Sequence, residues 1–228
     1  VLSAPRIAYR ETIKGRSDVQ GKHKKQSGGH GQYGDVKIRF SPGEGDGLTF
    51  TQSVVGGSVP KNYFPAIEKG LLEAMQKGVL AGYPVVGLAA DLYDGSYHDV
   101  DSNELSFKMA ASLAYKAGLP LAKPVLLEPI GELKVTIPDS VVGAVMGDIN
   151  SKRRGTVLGS NPAEGKPGYT TIDAEVPKAT MVEYTIDLRA MTQGKGSYSF
   201  YFVRYDEVPG SEAQKIIAEA KANMSEED

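Results

Sequence analysis

The chain has no cysteine, so neither disulfides nor thiolate metal sites are available to it. Histidine is scarce: His23, His30 and His98 are the only three, all in polar stretches, which argues against a zinc site. No apolar run approaches the ~20 residues that span a bilayer, and no basic segment followed by a short apolar run marks a secretory leader. A dominant charge sign is missing too. Lys and Arg number 26 against 28 Asp and Glu, a net charge of -2, so any nucleic-acid surface must be a local patch. These absences fit a cytoplasmic location and no membrane partner. What is present, 40% hydrophobic and 24% charged residues in 228, suits one large globular domain or two ordinary ones. The first residue is Val1 rather than Met, which we read as processing or as a piece of something longer.

Residues 5–13 alternate on a period near two and predict a strand. The stretch from Val19 to about Tyr33 is basic and glycine-rich, and predicts a long exposed loop between that strand and a second one at Val36–Phe40. Leu48–Val55 predicts another strand. Pro60 opens a predicted helix striped by Phe64, Ile67, Leu71, Leu72 and Met75, ending at Gly78. Pro84–Ala90 reads as a buried strand, and Asp94–Asp101 as a second polar loop. Asp101 and Glu104 have capping-box spacing ahead of a helix with Leu105, Met109, Leu113 and Ala117 on one face. From Pro124 the pattern resets to strand, helix, strand, strand, helix, strand. That order is a ferredoxin-like βαββαβ sandwich. A final helix from Ser211 carries Ile216, Ile217, Ala220 and Met224, and Ser225–Asp228 predicts a disordered acidic tail.

Several catalytic or ligand motifs nearly match and fail. Gly29-His30-Gly31-Gln32-Tyr33-Gly34 fits G-x-G-x-x-G, but a strand follows it where a dinucleotide site needs a helix. Gly159 to Lys166 has one residue too many for a phosphate loop, and Pro167 replaces the hydroxyl that would meet Mg²⁺. The segment from Asp99 lacks the glycine and the bidentate glutamate of a calcium loop, with Glu104 and Ala110 in those places. No Gly-x-Ser-x-Gly elbow is present.

What remains is a basic tip. Between residues 10 and 39, eight cations (Arg10, Lys14, Arg16, Lys22, Lys24, Lys25, Lys37, Arg39) face three anions (Glu11, Asp18, Asp35). A solvated loop is the simpler reading. Against it, glycine lets the backbone approach a partner closely, and Gln26, Ser27, Gln32 and Tyr33 can hydrogen-bond or stack on irregular RNA. Phosphate contacts, with Lys22, Lys24 and Lys25 as candidates here and Lys152, Arg153 and Arg154 in the second half, would add a salt-dependent attraction. His98 is either a turn residue or a second contact at the tip.

These stretches resemble the C-terminal part of bacterial elongation factor G, the translocation GTPase. The likeness is carried by Tyr9-Arg10-Glu11-Thr12-Ile13, Gly21-Lys22-His23, Gln26-Ser27-Gly28-Gly29, Gly31-Gln32-Tyr33-Gly34, Leu80-Ala81-Gly82-Tyr83-Pro84-Val85-Val86 and Gly95-Ser96-Tyr97-His98-Asp99-Val100-Asp101-Ser102. It continues through Lys123–Ile130, Gly147-Asp148 with Arg153-Arg154-Gly155, and Tyr205-Asp206-Glu207. The resemblance implies an α+β chain of two domains. Residues 1–120 with the terminal helix, 209–225, would form domain IV, including a left-handed β-α-β crossover. Residues 121–208 would form the ferredoxin-like domain V. It implies that Gln26, Ser27, Gly28, Gly29, His30, Gly31 and Gln32 on one loop, and Ser96, Tyr97, His98 and Asp99 on the other, contact the decoding region. Implied partners are the ribosome (the small-subunit decoding region and the GTPase-associated RNA of the large subunit), tRNA, mRNA and the GTPase domains. No enzyme activity or cofactor is expected of this chain itself; GTP and Mg²⁺ would be bound by the family's nucleotide domain. Two positions depart from the family pattern: His30 replaces an Arg, and Asp35 stands where His is frequent. Both lower the tip's charge, pointing to the alternative of a paralogue acting in ribosome recycling or tetracycline-type protection.

Overall fold

The computed structural model describes residues 6–26 and 28–226. They form two compact units, Arg10–Leu126 with the residues from Val208 onward, and Leu127–Glu207 with residues 6–9. The boundary therefore falls after Leu126 rather than at 120, and residues 6–9 join the second unit, where Tyr205 OH donates to Ala8 O at 2.8 Å.

The first unit contains β1 (Arg10–Ile13), β2 (Ser17–Lys25), β3 (Gln32–Pro42), β4 (Leu48–Gln52), α1 (Phe64–Ala74), β5 (Leu88–Ser96) and α2 (Glu104–Gly118). Its sheet order is β2-β3-β5-β4, with β4 and β5 parallel and the other pairs antiparallel. Most of the predicted long loop is therefore strand: Ser17↔Phe40 through Lys25↔Gln32 pair without interruption. The period-two pattern is hidden because Gly21 and Gly34 occupy inward positions where an apolar side chain would normally show. A Cβ on Gly21 would lie 2.1 Å from Ala110 O, and one on Gly34 2.5 Å from Ser106 O, so these glycines let α2 lie close on the sheet.

This close approach also sets the sidedness of α2. Its buried face is Phe107, Ala110, Ala111, Ala114 and Tyr115, whereas Leu105, Met109, Leu113 and Ala117, the expected inner stripe, are exposed. Small side chains, Ala110 and Ala114, fit where the backbones nearly touch at Gly21, while Phe107 and Tyr115 fill the core elsewhere on the same face. The helix is capped by Asn103, whose side chain accepts from Ser106 N at 2.8 Å, not by Asp101. α1 begins at Phe64 after a 3₁₀ turn, Lys61–Tyr63, and buries Ile67 and Leu71 while Leu72 is exposed. The strand expected at 84–90 starts only at Leu88 and runs on through Ser96, into the second polar stretch. Val36, Ile38, Phe40, Leu88, Ala90 and Leu92 complete the core from the sheet side.

Two of the recognised strings meet in this unit. Glu11, fully buried, accepts from the backbone N–H groups of Leu80 (2.7 Å), Ala81 (3.0 Å) and Tyr83 (2.9 Å). Gly78, expected as a helix cap, instead makes room for that carboxylate, since a Cβ would lie 2.3 Å from its carbon. Thr12 Oγ1 donates to Val86 O at 2.7 Å beside it.

The second unit contains most of β6 (Pro124–Pro138), then α3 (Val142–Gly147), β7 (Thr156–Pro162), β8 (Tyr169–Pro177), α4 (Tyr184–Thr192) and β9 (Ser197–Glu207). The sheet order β9-β6-β8-β7, antiparallel throughout, is that of the ferredoxin-like sandwich. Leu133, Val135, Ile137, Ile172, Ala174 and Val176 from the sheet pack on Val145, Ile149, Tyr184 and Leu188. α5 (Gly210–Glu226) is grouped with the first unit. Ile216, Ile217 and Ala220 on it are half-buried and Met224 is exposed. Ser225 and Glu226, expected in a disordered tail, are helical, and the last two residues lie outside the described ones.

Candidate nucleic-acid interface

β2 ends at Lys25 and β3 begins at Gln32, and the described residues between them are Gln26 and 28–31. Gly28 and Gly29 have φ of +33° and +141°, a conformation that side chains disfavour, and open space surrounds both. Gln26, Gly28, Gly29 and His30 are exposed, as are Lys22, Lys24 and Lys25. Ser27, expected among the contacts, lies outside the described residues. Gln32 is half-buried, and its Oε1 meets His23 Nε2 at 2.8 Å.

The segment between β5 and α2 lies against this hairpin. The ring of His98 is stacked on that of Tyr33, with centroids 3.7 Å apart and planes 6° from parallel. Tyr33 N donates to Asp101 O at 3.0 Å, Ser102 Oγ donates to Tyr33 O at 2.7 Å, and His98 N donates to Ser102 Oγ at 2.9 Å. The two polar loops singled out in the sequence are thus brought together by the fold. His98, Tyr97 and Asp99 are exposed beside the hairpin tip.

Three residues have roles other than those expected. Tyr33 is 6% exposed, so it is a support and not a free stacking surface for RNA. The hydroxyl of Ser96 is turned inward: it donates to Asp35 Oδ2 at 2.6 Å and so must accept from Tyr33 OH, also at 2.6 Å. Asp35 is buried and also accepts from Gln20 Nε2 at 2.7 Å, so its charge is engaged within the sheet and not displayed at the tip. The signal for this arrangement is strand alternation, which places Tyr33 and Asp35 on the same face. Their partner Ser102, on the other loop, has no local signal.

The cations of the second unit divide differently. Lys152 is exposed and pairs with Asp187 at 3.1 Å. Arg153, expected at phosphate, is buried. It donates to Asp148 Oδ2 at 2.8 Å, to Thr180 O at 2.6 Å and to Asp187, and lies 4.5 Å from the ring centroid of Tyr184. A guanidinium with these partners is a core group, unavailable to RNA. Lys152 and Arg153 hold the Asp187 carboxyl below the usual carboxylate range, and burial pushes the Tyr184 phenol up. Arg154, partly exposed, is bound through two nitrogens to the buried Glu128. Among the described residues no cluster of His, Asp or Glu is arranged to hold a metal ion.

Residues 5–123 match the family model "Elongation factor G, domain IV", and residues 125–216 match "Elongation factor G C-terminus". The chain belongs to the elongation factor G family. It is 49% identical over all 228 residues to an elongation factor G-like protein of Thermotoga maritima, and spans 33% of that protein's length. A crystal structure of a Thermus thermophilus protein superposes on 96% of the chain with a TM-score of 0.84 and 47% identity, and the chain spans 32% of it. The mixed α+β fold with its two sheets is thus that of elongation factor G domain IV and the C-terminal domain that follows it. Glu11 with the 80–83 turn, and Arg154 with Glu128, are occupied in holding the fold.

Proposed function

We propose that this chain is the ribosome-contacting C-terminal part of a translational GTPase that promotes tRNA–mRNA translocation. The observation that carries this reading is the stack of His98 on Tyr33, which joins the two loops into one exposed tip beside Lys22, Lys24 and Lys25. Such a tip can enter the small-subunit decoding region and hold the codon–anticodon duplex while the tRNA and mRNA move. Gln26 and His98 would make the polar or stacking contacts, and the exposed lysines would contact phosphates. No bond is made or broken there, so the chain acts by holding geometry. GTP and Mg²⁺ would bind in the nucleotide domain that the family carries elsewhere. The second unit would face the GTPase-associated RNA of the large subunit through exposed cations such as Lys152, and the whole would work in the cytoplasm.

A second reading is favoured by His30, which departs from the family Arg, and by the name of the Thermotoga relative, an elongation factor G-like protein. On this reading the parent protein acts in ribosome recycling or tetracycline-type protection. The test is made in the full-length factor. Gln26→Ala and His98→Ala should each slow translocation while leaving ribosome-stimulated GTP hydrolysis intact. Unchanged translocation in both would remove the assignment of the tip. Subunit splitting, or growth under tetracycline, that fails in these variants while translocation is normal would favour the paralogue.

A further inference from the structure

We infer that Tyr33 is a positioning residue that holds His98 with its outer ring face presented to an RNA base. The inference rests on the ribosome-contact reading above and deepens it by naming what His98 offers. Three sets of contacts converge on Tyr33. Its ring covers one face of the His98 imidazole, so only the opposite face and the ring edge are open to a ligand. Its hydroxyl starts a chain through Ser96 Oγ to Asp35 Oδ2, whose other oxygen accepts from Gln20. This chain ties Tyr33 across β2, β3 and β5. Its backbone is held at both ends, N–H to Asp101 O and carbonyl from Ser102 Oγ. Ser102 also accepts from His98 N, and its own N–H donates to His98 O at 3.1 Å, so one residue grips both rings' backbones.

An exposed histidine on a loop would have to lose rotamer freedom on binding. Here that freedom is already lost in the free protein, so a base can stack on a preformed two-ring column. The Lys22 ammonium lies 5.4 Å from the Tyr33 centroid, and Lys24 pairs across the hairpin from Tyr33. Both lie where the phosphate of a stacked nucleotide can reach a cation.

The experiment uses the 228-residue chain in two measurements. The ring protons of His98 are followed by NMR, and affinity for isolated small ribosomal subunits is measured at fixed salt. In the wild type, the Tyr33 ring current should hold the His98 protons upfield. Tyr33→Leu should return them to the positions of an unstructured histidine and weaken subunit binding roughly tenfold, as far as His98→Ala does. The double variant should lose nothing further. Tyr33→Phe, which keeps the ring, should retain the upfield shift and most of the binding, and His98→Phe should also bind. His98 shifts that are the same in wild type and Tyr33→Leu, or losses that add in the double variant, would overturn the positioning role. If Tyr33→Leu does not fold, His98→Phe decides: binding as weak as His98→Ala overturns stacking. Wild-type binding by His98→Ala would overturn the ribosome-contact reading itself, whatever the NMR shows.

Discussion

Arg154 holds Glu128 with two parallel hydrogen bonds, Nη1 to Oε1 at 2.9 Å and Nη2 to Oε2 at 3.0 Å. The carboxylate is 2% exposed while the guanidinium reaches solvent. Removing the arginine leaves a buried charge with its main counter-ion gone, which costs about 3–5 kcal/mol. Arg154→Ala should therefore lower the stability of the second unit, read from its urea midpoint, by that amount. The change would be felt as stability and not as a selective loss of RNA affinity, and binding assays on this variant need a folding control.

The contact between the β2–β3 hairpin and α2 depends on two hydrogens in place of side chains. Gly21→Ala would set a methyl 2.1 Å from Ala110 O, and Gly34→Ala one 2.5 Å from Ser106 O, in each case against backbone that cannot rotate away. Each should destabilise the first unit by about 1–3 kcal/mol or more. Gly159→Ala in β7, with nothing within 4 Å of the added carbon, should stay within about 0.5 kcal/mol of wild type. Chemical denaturation of the three variants checks the contrast.

Asp187 gives the second unit a dependence on acid. Its pKa is lowered in the folded state by Lys152 and Arg153. The stability it contributes is therefore complete above the unfolded carboxylate pKa, about 3.9, and is lost as pH falls through the lower folded value. Thermal melts from pH 7 downward should show Asp187→Asn less stable than wild type at neutral pH, with the two converging below about pH 4. A gap that persists unchanged in acid would contradict the assignment.

The exposed lysines of the hairpin should govern how binding responds to salt. If Lys24 and Lys25 each neutralise one phosphate, the Lys24→Ala/Lys25→Ala double variant should flatten the slope of log affinity against log salt by about 1.4–1.8. Arg153→Ala should leave the slope alone, because that guanidinium is buried among Asp148, Asp187 and Thr180. Titrations of ribosomal subunits at several salt concentrations measure both.

The ferredoxin-like half was largely legible in the sequence. Its helices carry ordinary stripes such as Tyr184 and Leu188, and its strands alternate cleanly. The first half was harder to read wherever small residues do the packing. Gly21 and Gly34 broke the alternation of β2 and β3 and made strand look like loop. The alanines of α2 were overlooked in favour of Leu105, Met109 and Leu113, which face outward. The two polar loops were singled out from their residues and the family likeness, and the fold brings them together. The stack of His98 on Tyr33 was not legible, because it depends on the register that puts Tyr33, Asp35 and Ser96 on one sheet face. The burial of Arg153 and the pairing of Arg154 with Glu128 were not legible for a related reason: a cation in a sequence string does not show whether carboxylates surround it in the fold.

Because these 228 residues hold no cysteine, entry of the hairpin tip into the decoding region is directly measurable. A single cysteine placed at Gln26, carrying a tethered hydroxyl-radical source, reports which ribosomal RNA lies near the hairpin tip. The account predicts strand cleavage concentrated in the decoding region of the small subunit, absent when the same probe sits at the exposed Ser211. Cleavage elsewhere, or the same pattern from both positions, would contradict it.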